Sequence, residues 1–286
     1  MAPMRVHFCG VRGSSPAAGV DFVRYGGHTA CLALAHDGTP APTLILDAGT
    51  GIQRVPSLLD GAGFAGTILL THLHWDHVLG LPFFASADRP DARTEVILPE
   101  QPDGRDAESV LEAIMSPPYY PIVPSELGGD WTFSSLAPGR HQVEGFDVLA
   151  REIPHKGGRT FGYRVSDGRS AIAYMPDHCP TAFGFGDDGL GEYHEAALEL
   201  AQDVDVLVHD AQLFPQEFPA DAYFGHAVTD YAVALAGRAG AGTAALFHHR
   251  PDRTDEQLDA LARRFADGAP GAPAVSVAAW DSTLEL

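Results

Sequence analysis

Positive charge is scarce in this sequence. Lys156 is the only lysine, and 18 basic residues stand against 38 acidic ones, which gives a formal net charge of −20 over 286 residues. A protein that grips a long nucleic-acid backbone presents a basic surface, because neutralising phosphates supplies much of the affinity. The charge therefore argues against a large polyanion such as tRNA, and we expect a small molecule as the substrate.

Cysteines and long apolar runs are scarce as well. Cys9, Cys31 and Cys179 are widely spaced without a CxxC pair, which argues against a thiolate metal site and suits free thiols in a reducing compartment. No apolar run approaches the roughly 18 residues that a membrane-spanning helix needs, and residues 1–10 lack the pattern of a secretory signal. We therefore expect a cytoplasmic protein without membrane contact.

The alternation of strand-like and helix-like segments predicts a layered α/β fold. Because no Pro/Gly/Ser-rich linker divides the chain, we expect one domain over residues 1–286. A proline-rich stretch, 116–124, excludes regular structure and could form a rim or lid over a site. Either Thr254 or Asp255 is expected to cap the last helix. Strands are predicted at 4–9, 31–35, 43–47, 67–71, 95–98, 143–153, 161–166, 171–175, 204–209, 244–248 and 274–277, and helices at 107–115, 229–239 and 255–266.

One stretch concentrates potential metal ligands. His72, His74, Asp76 and His77 follow the apolar residues of the strand predicted at 67–71. Alternate residues of an extended chain point to the same side, so His72 and His74 can face one metal together. A helical turn after them would direct Asp76 and His77 toward a neighbouring position. Imidazole and carboxylate groups suit Zn²⁺, Mn²⁺ or Fe²⁺, so the stretch predicts a metal site.

Further histidines and aspartates lie beside other predicted elements. Alone, each would more often be a cap or a surface residue, but a metal site needs ligands from several strand ends. Four positions qualify: His155, Asp177 and His248 at strand ends, and His226 just before the helix at 229–239. Together with the first stretch, they predict a site built from both halves of the chain.

These residues and three further segments resemble the metallo-β-lactamase superfamily, most closely its ribonuclease Z-like and cyclic-phosphodiesterase-like branch. The segments are Cys-Gly-Val-Arg-Gly-Ser-Ser-Pro at 9–16, Leu-Asp-Ala-Gly-Thr-Gly at 46–51 and Phe-His-His-Arg-Pro at 247–251. The resemblance therefore covers nearly the whole chain. It implies a four-layer αββα sandwich with the site at one edge of two facing sheets, and it suggests a homodimer.

The resemblance also implies a centre of two divalent metals, with Zn²⁺ favoured over Mn²⁺ and Fe²⁺. The implied ligands are His72, His74 and His155 for the first metal, Asp76, His77 and His248 for the second, and Asp177 as a bridge between them. In two-metal sites of this kind a shared hydroxide attacks phosphorus while the metals clamp the phosphoryl group.

Asp76, His226 and Asp210 are the catalytic residues that the resemblance implies. His226 matches the histidine of a Gly-His-Ser motif, and Asp210 matches the acidic residue that orients it. A carboxylate behind an imidazole fixes its tautomer and favours its protonated form, which suits it to protonate a leaving oxygen. Two departures stand out: Ala227 replaces the usual Ser or Thr, and the acidic partner is Asp where Glu is commoner.

Five residues are further candidates for substrate binding: Arg250, Lys156, Arg159, Tyr25 and His28. The three basic ones flank implied ligands and could contact a phosphate, and the other two lie on the first loop. Asp47 is expected to support a metal-ligating histidine. His178 and His249 adjoin ligands but should point away from the metals on an extended chain. The remaining histidines are assigned to the surface or the core: His7, His36, His141, His194 and His209.

The implied function is a dinuclear metal-dependent hydrolase, first of all a phosphodiesterase for a small phosphodiester, cyclic ones included. The same centre would also serve a lactonase or another ester or amide hydrolase, since only the pocket would differ. A tRNA 3′-processing endonuclease is disfavoured, because the only insert comparable to a tRNA-gripping arm, around 116–129, is short and the surface is acidic. A non-catalytic scaffold is disfavoured because all seven ligand positions are filled.

Overall fold

Two seven-stranded sheets face each other in the computed structural model of the protein, which describes residues 4–36, 38–39, 41–268 and 271–286. The strands are β1 Arg5–Gly10, β2 Cys31–Ala35, β3 Leu44–Leu46, β4 Ala65–Leu69, β5 Arg93–Pro99, β6 Asp130–Leu136, β7 Gly139–Val143, β8 Phe146–Glu152, β9 Phe161–Ser166, β10 Ala171–Met175, β11 Val206–Asp210, β12 Thr243–Phe247, β13 Ala274–Val277 and β14 Ser282–Glu285. The order is β14-β1-β2-β3-β4-β5-β6 in the first sheet and β13-β12-β11-β10-β9-β8-β7 in the second.

The helices are short. The α-helices are α1 Trp75–Val78, α2 Ala107–Glu112, α3 Glu195–Ala201, α4 Thr229–Ala239 and α5 Asp255–Phe265. Turns of 3₁₀ helix lie at Val20–Phe22, Thr50–Leu58, Leu81–Phe83, Pro124–Glu126, Pro180–Phe183 and Ala222–Phe224. Among the described residues, no helix has the length and apolarity to cross a bilayer.

Helices cover the outer face of each sheet, which gives the four-layer αββα sandwich predicted from the sequence. In β4, Leu69 points into the core between the sheets, whereas Ile68 packs outward with residues of Thr50–Leu58, α1 and α2. In β8, Val148 and Leu149 divide in the same way between the central core and the side covered by α3 and α4. Strands buried on both faces need apolar residues at successive positions, which is why they form continuous apolar runs in the sequence.

The strand predicted at 143–153 contains all of β8, but its first three residues are the last residue of β7 and the tight turn that joins β7 to β8. The two turn residues, Glu144 and Gly145, have φ angles of 49° and 83°. Two-residue hairpin loops need such angles, and Asn-Gly or Asp-Gly is their usual signal. Glu144 gives no such signal. Its backbone is instead held by a tertiary contact, because His36 Nε2 donates to the Glu144 carbonyl at 2.6 Å.

Most other predicted elements are present within a few residues of their predicted ends. Thr254 is the cap of α5, and its hydroxyl accepts the N–H of Gln257. Four elements were not predicted: β6, β7, β14 and α3. β6 and β14 are the edge strands of the first sheet, and their half-exposed, largely polar residues carry little apolar pattern.

The two sheets bring the carboxyl ends of their parallel strands to one edge. β3, β4 and β5 run parallel in the first sheet, and β10, β11 and β12 run parallel in the second. Asp47 follows β3 and His72 lies just beyond β4, while Asp177, Asp210 and His248 lie at or just past the ends of β10, β11 and β12. In α/β sheets this edge is where ligands bind, and the chemically versatile residues gather there.

Candidate metal centre

The HxHxDH stretch makes the turn from β4 into α1. His72 is buried, with 2 % of its side chain exposed, and His74 is the extended residue that precedes the helix, with φ −65° and ψ 150°. Asp76 and His77 lie within the helix and are also buried. The change of direction between strand and helix therefore presents two pairs of donor groups to neighbouring positions, as the spacing predicted.

Two groups of donor atoms lie side by side at this edge, each with its ligand atoms within 4.8 Å of one another. The first group is His72, His74, His155 and Asp177, and the second is Asp76, His77 and His248. A third group, Asp177, His226 and His248, overlaps them. Apart from Asp177, which the resemblance makes a bridge, the first two groups have the same members as the two ligand sets that the resemblance implies.

Asp177 stands between the two groups. Its Oδ1 lies 3.4 Å from His155 Nε2, while its Oδ2 lies 2.8 Å from His77 Nε2 and 3.1 Å from His248 Nε2. Asp76 Oδ2 in turn lies 3.1 Å from His248 Nε2. One oxygen of Asp177 thus faces each group, which is the geometry that a bridging carboxylate requires.

The donor set fits divalent metal ions. His72 Nε2 is buried and has no hydrogen-bond partner among the described residues. His155 donates its Nδ1–H to the Gly225 carbonyl at 2.9 Å, which leaves the lone pair of Nε2 3.3 Å from His74 Nδ1. Buried polar atoms without partners cost about 1–3 kcal/mol each, so the cluster favours a cation that accepts these lone pairs. Imidazole and carboxylate together suit Zn²⁺, Mn²⁺ and Fe²⁺.

Histidines of the two groups have pKa values shifted in opposite directions. Burial lowers the pKa of His72, His74 and His155, so these rings are neutral, as ligation requires. Burial would also lower the pKa of His77, but the charges of Asp76 and Asp177 outweigh it and raise that pKa well above its ordinary value. A proton on His77 occupies the position of a cation in the second group, so protons and metal compete there.

Asp47 holds one of these rings in place. It is fully buried, and its Oδ2 accepts the Nδ1–H of His77 at 2.8 Å and the hydroxyl of Tyr174 at 3.0 Å. Its Oδ1 accepts the backbone N–H of Thr71 at 2.7 Å. The contact expected for Asp47 is therefore present. It fixes the tautomer of His77 and turns Nε2 toward the second group, the role that outer carboxylates have behind metal-ligating histidines.

His226 and Asp210 form a buried pair beside the two groups. His226 donates its Nδ1–H to Asp210 Oδ2 at 3.0 Å. The same carboxylate accepts the backbone N–H groups of His178, Gln212 and Ala227 at 3.0–3.2 Å, so its position is tightly fixed. Burial would lower the pKa of His226, but the charge and hydrogen bond of Asp210 raise it to about 9. The ring is therefore protonated at neutral pH.

A cavity of about 400 Å³ opens onto the centre. It is lined by Ser14, Leu73, His74, Trp75, Asp76, Asp177 and His226. Ser14, Leu73 and Trp75 were not predicted as site residues. For Leu73 and Trp75 a signal was present, since residues between the ligands of a compact motif necessarily lie beside the site.

Gln212 is another residue that the sequence analysis missed. Its side-chain amide lies 3.3 Å from His248 Nδ1 and donates to Ser14 Oγ at 3.1 Å. The backbone N–H of Ser14 in turn donates to Asp76 Oδ2 at 2.6 Å. Gly13 packs so closely that a β-carbon there would lie 2.3 Å from His248 Nδ1. The Gly-Ser-Ser loop at 13–15 thus supports two of the implied ligands.

None of the five candidate substrate contacts is among the described residues that line the cavity. Each has a partner elsewhere: Arg250 pairs with Asp221 at 2.8 Å, Lys156 with the Tyr223 carbonyl at 3.1 Å, Arg159 with Glu152 at 3.1 Å, Tyr25 with Asp259 at 3.1 Å and His28 with Thr50 at 3.3 Å. Their assignment to substrate binding stays a prediction.

His178 and His249 make their ring contacts away from the two donor groups. His178 Nδ1 lies 2.8 Å from His209 Nε2, and its Nε2 lies 2.7 Å from His194 Nε2. His249 Nε2 donates to the Ala278 carbonyl at 2.8 Å. Both orientations are those expected for neighbours of a ligand on an extended chain.

Comparison with known proteins identifies the family. The β-lactamase superfamily domain model matches residues 43–249. The chain belongs to the metallo-β-lactamase superfamily. A ribonuclease Z from Lacticaseibacillus casei (strain BL23) is 28 % identical over 242 residues, covering 71 % of this chain and 74 % of its own. The metallo-β-lactamase fold protein YhfI from Bacillus subtilis has a TM-score of 0.70 at 16 % identity, with 100 % of both chains covered. A diphosphatase from the PhnP family also has a TM-score of 0.70, at 17 % identity, covering 99 % of this chain and 98 % of its own.

Membership in this superfamily confirms the predicted family, the αββα fold and the prediction of a hydrolase. The fold implies divalent metal ions, and His/Asp clusters that can hold them are present. The identity and number of the metals, and the role of each ligand, stay predictions.

Proposed function

We propose that the protein is a phosphodiesterase that acts on a small phosphodiester, cyclic ones included. The observation that carries the proposal is the His226–Asp210 pair at the cavity, directly beside the two donor groups. Phosphodiester cleavage expels an alkoxide that needs a proton, whereas lactone opening in this superfamily commonly does without such a pair. The relatives named as a ribonuclease and a diphosphatase support phosphorus as the reacting atom.

The residues would divide the work as follows. His72, His74 and His155 would hold one cation, Asp76, His77 and His248 would hold the other, and Asp177 would bridge them. When bound, divalent cations polarise the phosphoryl oxygens and lower the pKa of water. Asp47 keeps His77 in the tautomer that can ligate, and the Ser14 N–H holds Asp76 in position.

His226 would supply the proton. Asp210 accepts the hydrogen bond from its Nδ1–H, so Nε2 is the ring atom left for a substrate in the cavity. Proton donation to a leaving oxygen is most effective when the donor is protonated and its pKa is not far above the working pH. Asp210 stays behind the ring, where its charge favours the protonated form and its three backbone contacts fix the direction of the N–H.

The size and charge of the protein support a small substrate. A cavity of about 400 Å³ is within the roughly 300–1,000 Å³ range of small-molecule sites. The net charge of −20 opposes the approach of a polyanion. A small phosphodiester carries a single charge, so this repulsion is much weaker for it.

Cleavage of RNA is the second candidate. The ribonuclease Z relative, which the chain matches over 74 % of that protein's length, is the observation that favours it. If RNA is the substrate, the metal-loaded protein should bind and cut a tRNA precursor at low salt, with binding that weakens as salt increases. A gel-shift titration with a tRNA precursor measures this directly.

A substrate panel tests the proposal. The purified protein, loaded in turn with Zn²⁺, Mn²⁺ and Fe²⁺, is assayed with bis(4-nitrophenyl) phosphate and with a set of lactones. We expect turnover of the phosphodiester, lost in Asp177→Asn and retained in Asp103→Asn, a control at an exposed aspartate that pairs with Arg105. Activity confined to lactones would refute the phosphodiesterase.

A further inference from the structure

Trp75 is an aromatic side chain that the fold leaves without a partner. Its side chain is 73 % exposed, and within the described part of the chain its ring makes no aromatic contact and its indole N–H no hydrogen bond. Scattered apolar residues on a surface need no explanation. Trp75, however, lines the cavity over the two donor groups, so its flat apolar face is available to whatever enters.

The rest of the cavity offers little to hold the organic part of a substrate. Four of the seven lining residues are proposed ligands or the proposed acid, and the other three are Ser14, Leu73 and Trp75. Ser14 is already engaged with Asp76 and Gln212, and Leu73 is half-buried against the core under α1. The described lining contains no arginine or lysine. Recognition of a substituent on the phosphate therefore falls to Trp75.

The position of Trp75 in the chain places it close to the reacting phosphate. It stands between His74, a member of the first donor group, and Asp76, a member of the second. Its backbone is fixed, because its carbonyl accepts the N–H of Leu79, the residue that follows α1, at 2.8 Å. A ring stacked on the indole would consequently belong to a group attached directly to the phosphorus held by the centre.

We propose that Trp75 selects phosphodiesters whose retained substituent, the one that is not expelled, is a planar aromatic group, a nucleobase or an aryl ring, by stacking on it. This rests on the proposed phosphodiesterase and adds the class of its substrate. Stacking on an aromatic side chain tolerates any planar ring, because every such ring has a π-face. The expected selectivity is roughly 10- to 100-fold over a substituent of similar size that is not planar.

The test compares phenyl 4-nitrophenyl phosphate with cyclohexyl 4-nitrophenyl phosphate. Both release 4-nitrophenolate, and they differ in whether the retained six-carbon ring is planar. In Trp75→Ala, kcat/KM for the phenyl ester should fall by roughly 10- to 100-fold, while that for the cyclohexyl ester changes by no more than about threefold. Trp75→Phe, which keeps a smaller aromatic face, should restore part of the preference.

Binding is measured separately from turnover. Phenylphosphonate and cyclohexylphosphonate cannot be hydrolysed at a phosphodiester bond, and calorimetric titration of the metal-loaded protein gives the Kd of each. The preference for phenylphosphonate should be present in the wild type and absent in Trp75→Ala. Tyr119→Ala is the matched control, because Tyr119 is 81 % exposed and is not among the described cavity-lining residues; it should keep the wild-type preference.

The outcomes separate the two proposals. Equal losses for both esters in Trp75→Ala, with or without a change in sedimentation coefficient, would overturn selection by Trp75 and leave the phosphodiesterase standing. An unchanged phenyl preference in Trp75→Ala would do the same. Failure of the metal-loaded wild type to turn over either ester, while lactones are hydrolysed, would overturn the phosphodiesterase and the role of Trp75 with it.

Discussion

Replacing His226 with asparagine removes the proposed proton donor but keeps a polar side chain at the cavity. In the native protein His226 donates to Asp210 at 3.0 Å, and its pKa is raised to about 9. The raised pKa means that the protonated ring predominates at pH 7. Asparagine cannot transfer a proton at this pH, so His226→Asn isolates the acid function.

The size of the effect depends on the leaving group. A positioned general acid contributes about 10²- to 10⁴-fold to a rate when the departing atom needs a proton. An alkoxide needs one, whereas 4-nitrophenolate is a stable anion near neutral pH. We therefore expect His226→Asn to lower kcat for an alkyl leaving group by about 10²- to 10⁴-fold and to lower it far less for 4-nitrophenolate.

The assay is a series of phosphodiesters that share one retained group and differ in leaving-group basicity. The plot of log kcat against leaving-group pKa should be shallow for the wild type and steep for His226→Asn. His141→Asn is the control, because His141 lies outside the cavity lining and contacts the Ala137 carbonyl. It should reproduce the wild-type slope.

The dependence of activity on pH tests the same role of His226. Because Asp210 raises the pKa of His226, the acid form predominates below pH 9 and is lost as the pH rises through about 9. Bound cations beside Asp177 would oppose the proton and move this limb downward. The activity of the wild type toward alkyl leaving groups should therefore fall as the pH rises, with a midpoint at or below about pH 9. His226→Asn should lack this fall in activity at high pH.

The competing possibility is that His226 is itself a ligand, since it forms the third donor group with Asp177 and His248. Loss of a ligand would lower the metal content per chain and reduce kcat by the same factor for every leaving group. Parallel plots for wild type and His226→Asn, together with reduced metal content, would refute proton donation.

Three further predictions concern the buried carboxylates and the stability of the fold. Asp177→Asn should bind fewer than two metals per chain in elemental analysis, because it removes charge from the oxygens that face both groups; full occupancy would contradict the bridge. Asp47→Asn leaves one donor of Thr71, His77 or Tyr174 unsatisfied and should cost about 1–3 kcal/mol in urea unfolding, with metal affinity reduced about 10- to 100-fold. Burial lowers the pKa of His249 to about 3 in the folded protein. As the pH falls below about 6.5, His249 is therefore protonated in the unfolded chain but not yet in the folded protein. The free energy of unfolding should drop by about 1.4 kcal/mol per pH unit between pH 6.5 and pH 3. In His249→Asn the dependence of this free energy on pH should be smaller by that amount.

The gathering of the donor residues at one edge could be predicted because their positions follow from local rules. His72 and His74 lie two residues apart just beyond a strand, and Asp177 and His248 lie beyond strands of their own. The carboxyl ends of parallel strands meet at one edge, so residues at such ends meet regardless of their separation in sequence. The division of these residues into two groups was instead implied by the resemblance to the superfamily.

The substrate contacts could not be predicted in the same way. Arg250, Lys156 and Arg159 were chosen because they adjoin ligands, but each side chain is long enough to find a partner away from the cavity. In a chain with 38 acidic residues, carboxylates compete for every cation: Arg250 pairs with Asp221 and Arg159 with Glu152. The outcome depends on which acidic residues the fold brings near, and sequence spacing does not contain that information.

An acidic protein can act on an anion because the charges near the centre and the charges on the outer surface act over different distances. Four carboxylates, Asp47, Asp76, Asp177 and Asp210, are buried around the centre. Hydrogen-bond donors and the protons held by His77 and His226 offset their charge. Divalent cations in the same positions would make the local charge positive and attract one phosphate at short range. Charges on the outer surface act through water and are screened beyond about 8–10 Å, so they weaken the approach of a single small anion only slightly. They act again on every phosphate of a long chain that extends across the surface. The same distribution of charge therefore favours a compact phosphodiester over RNA.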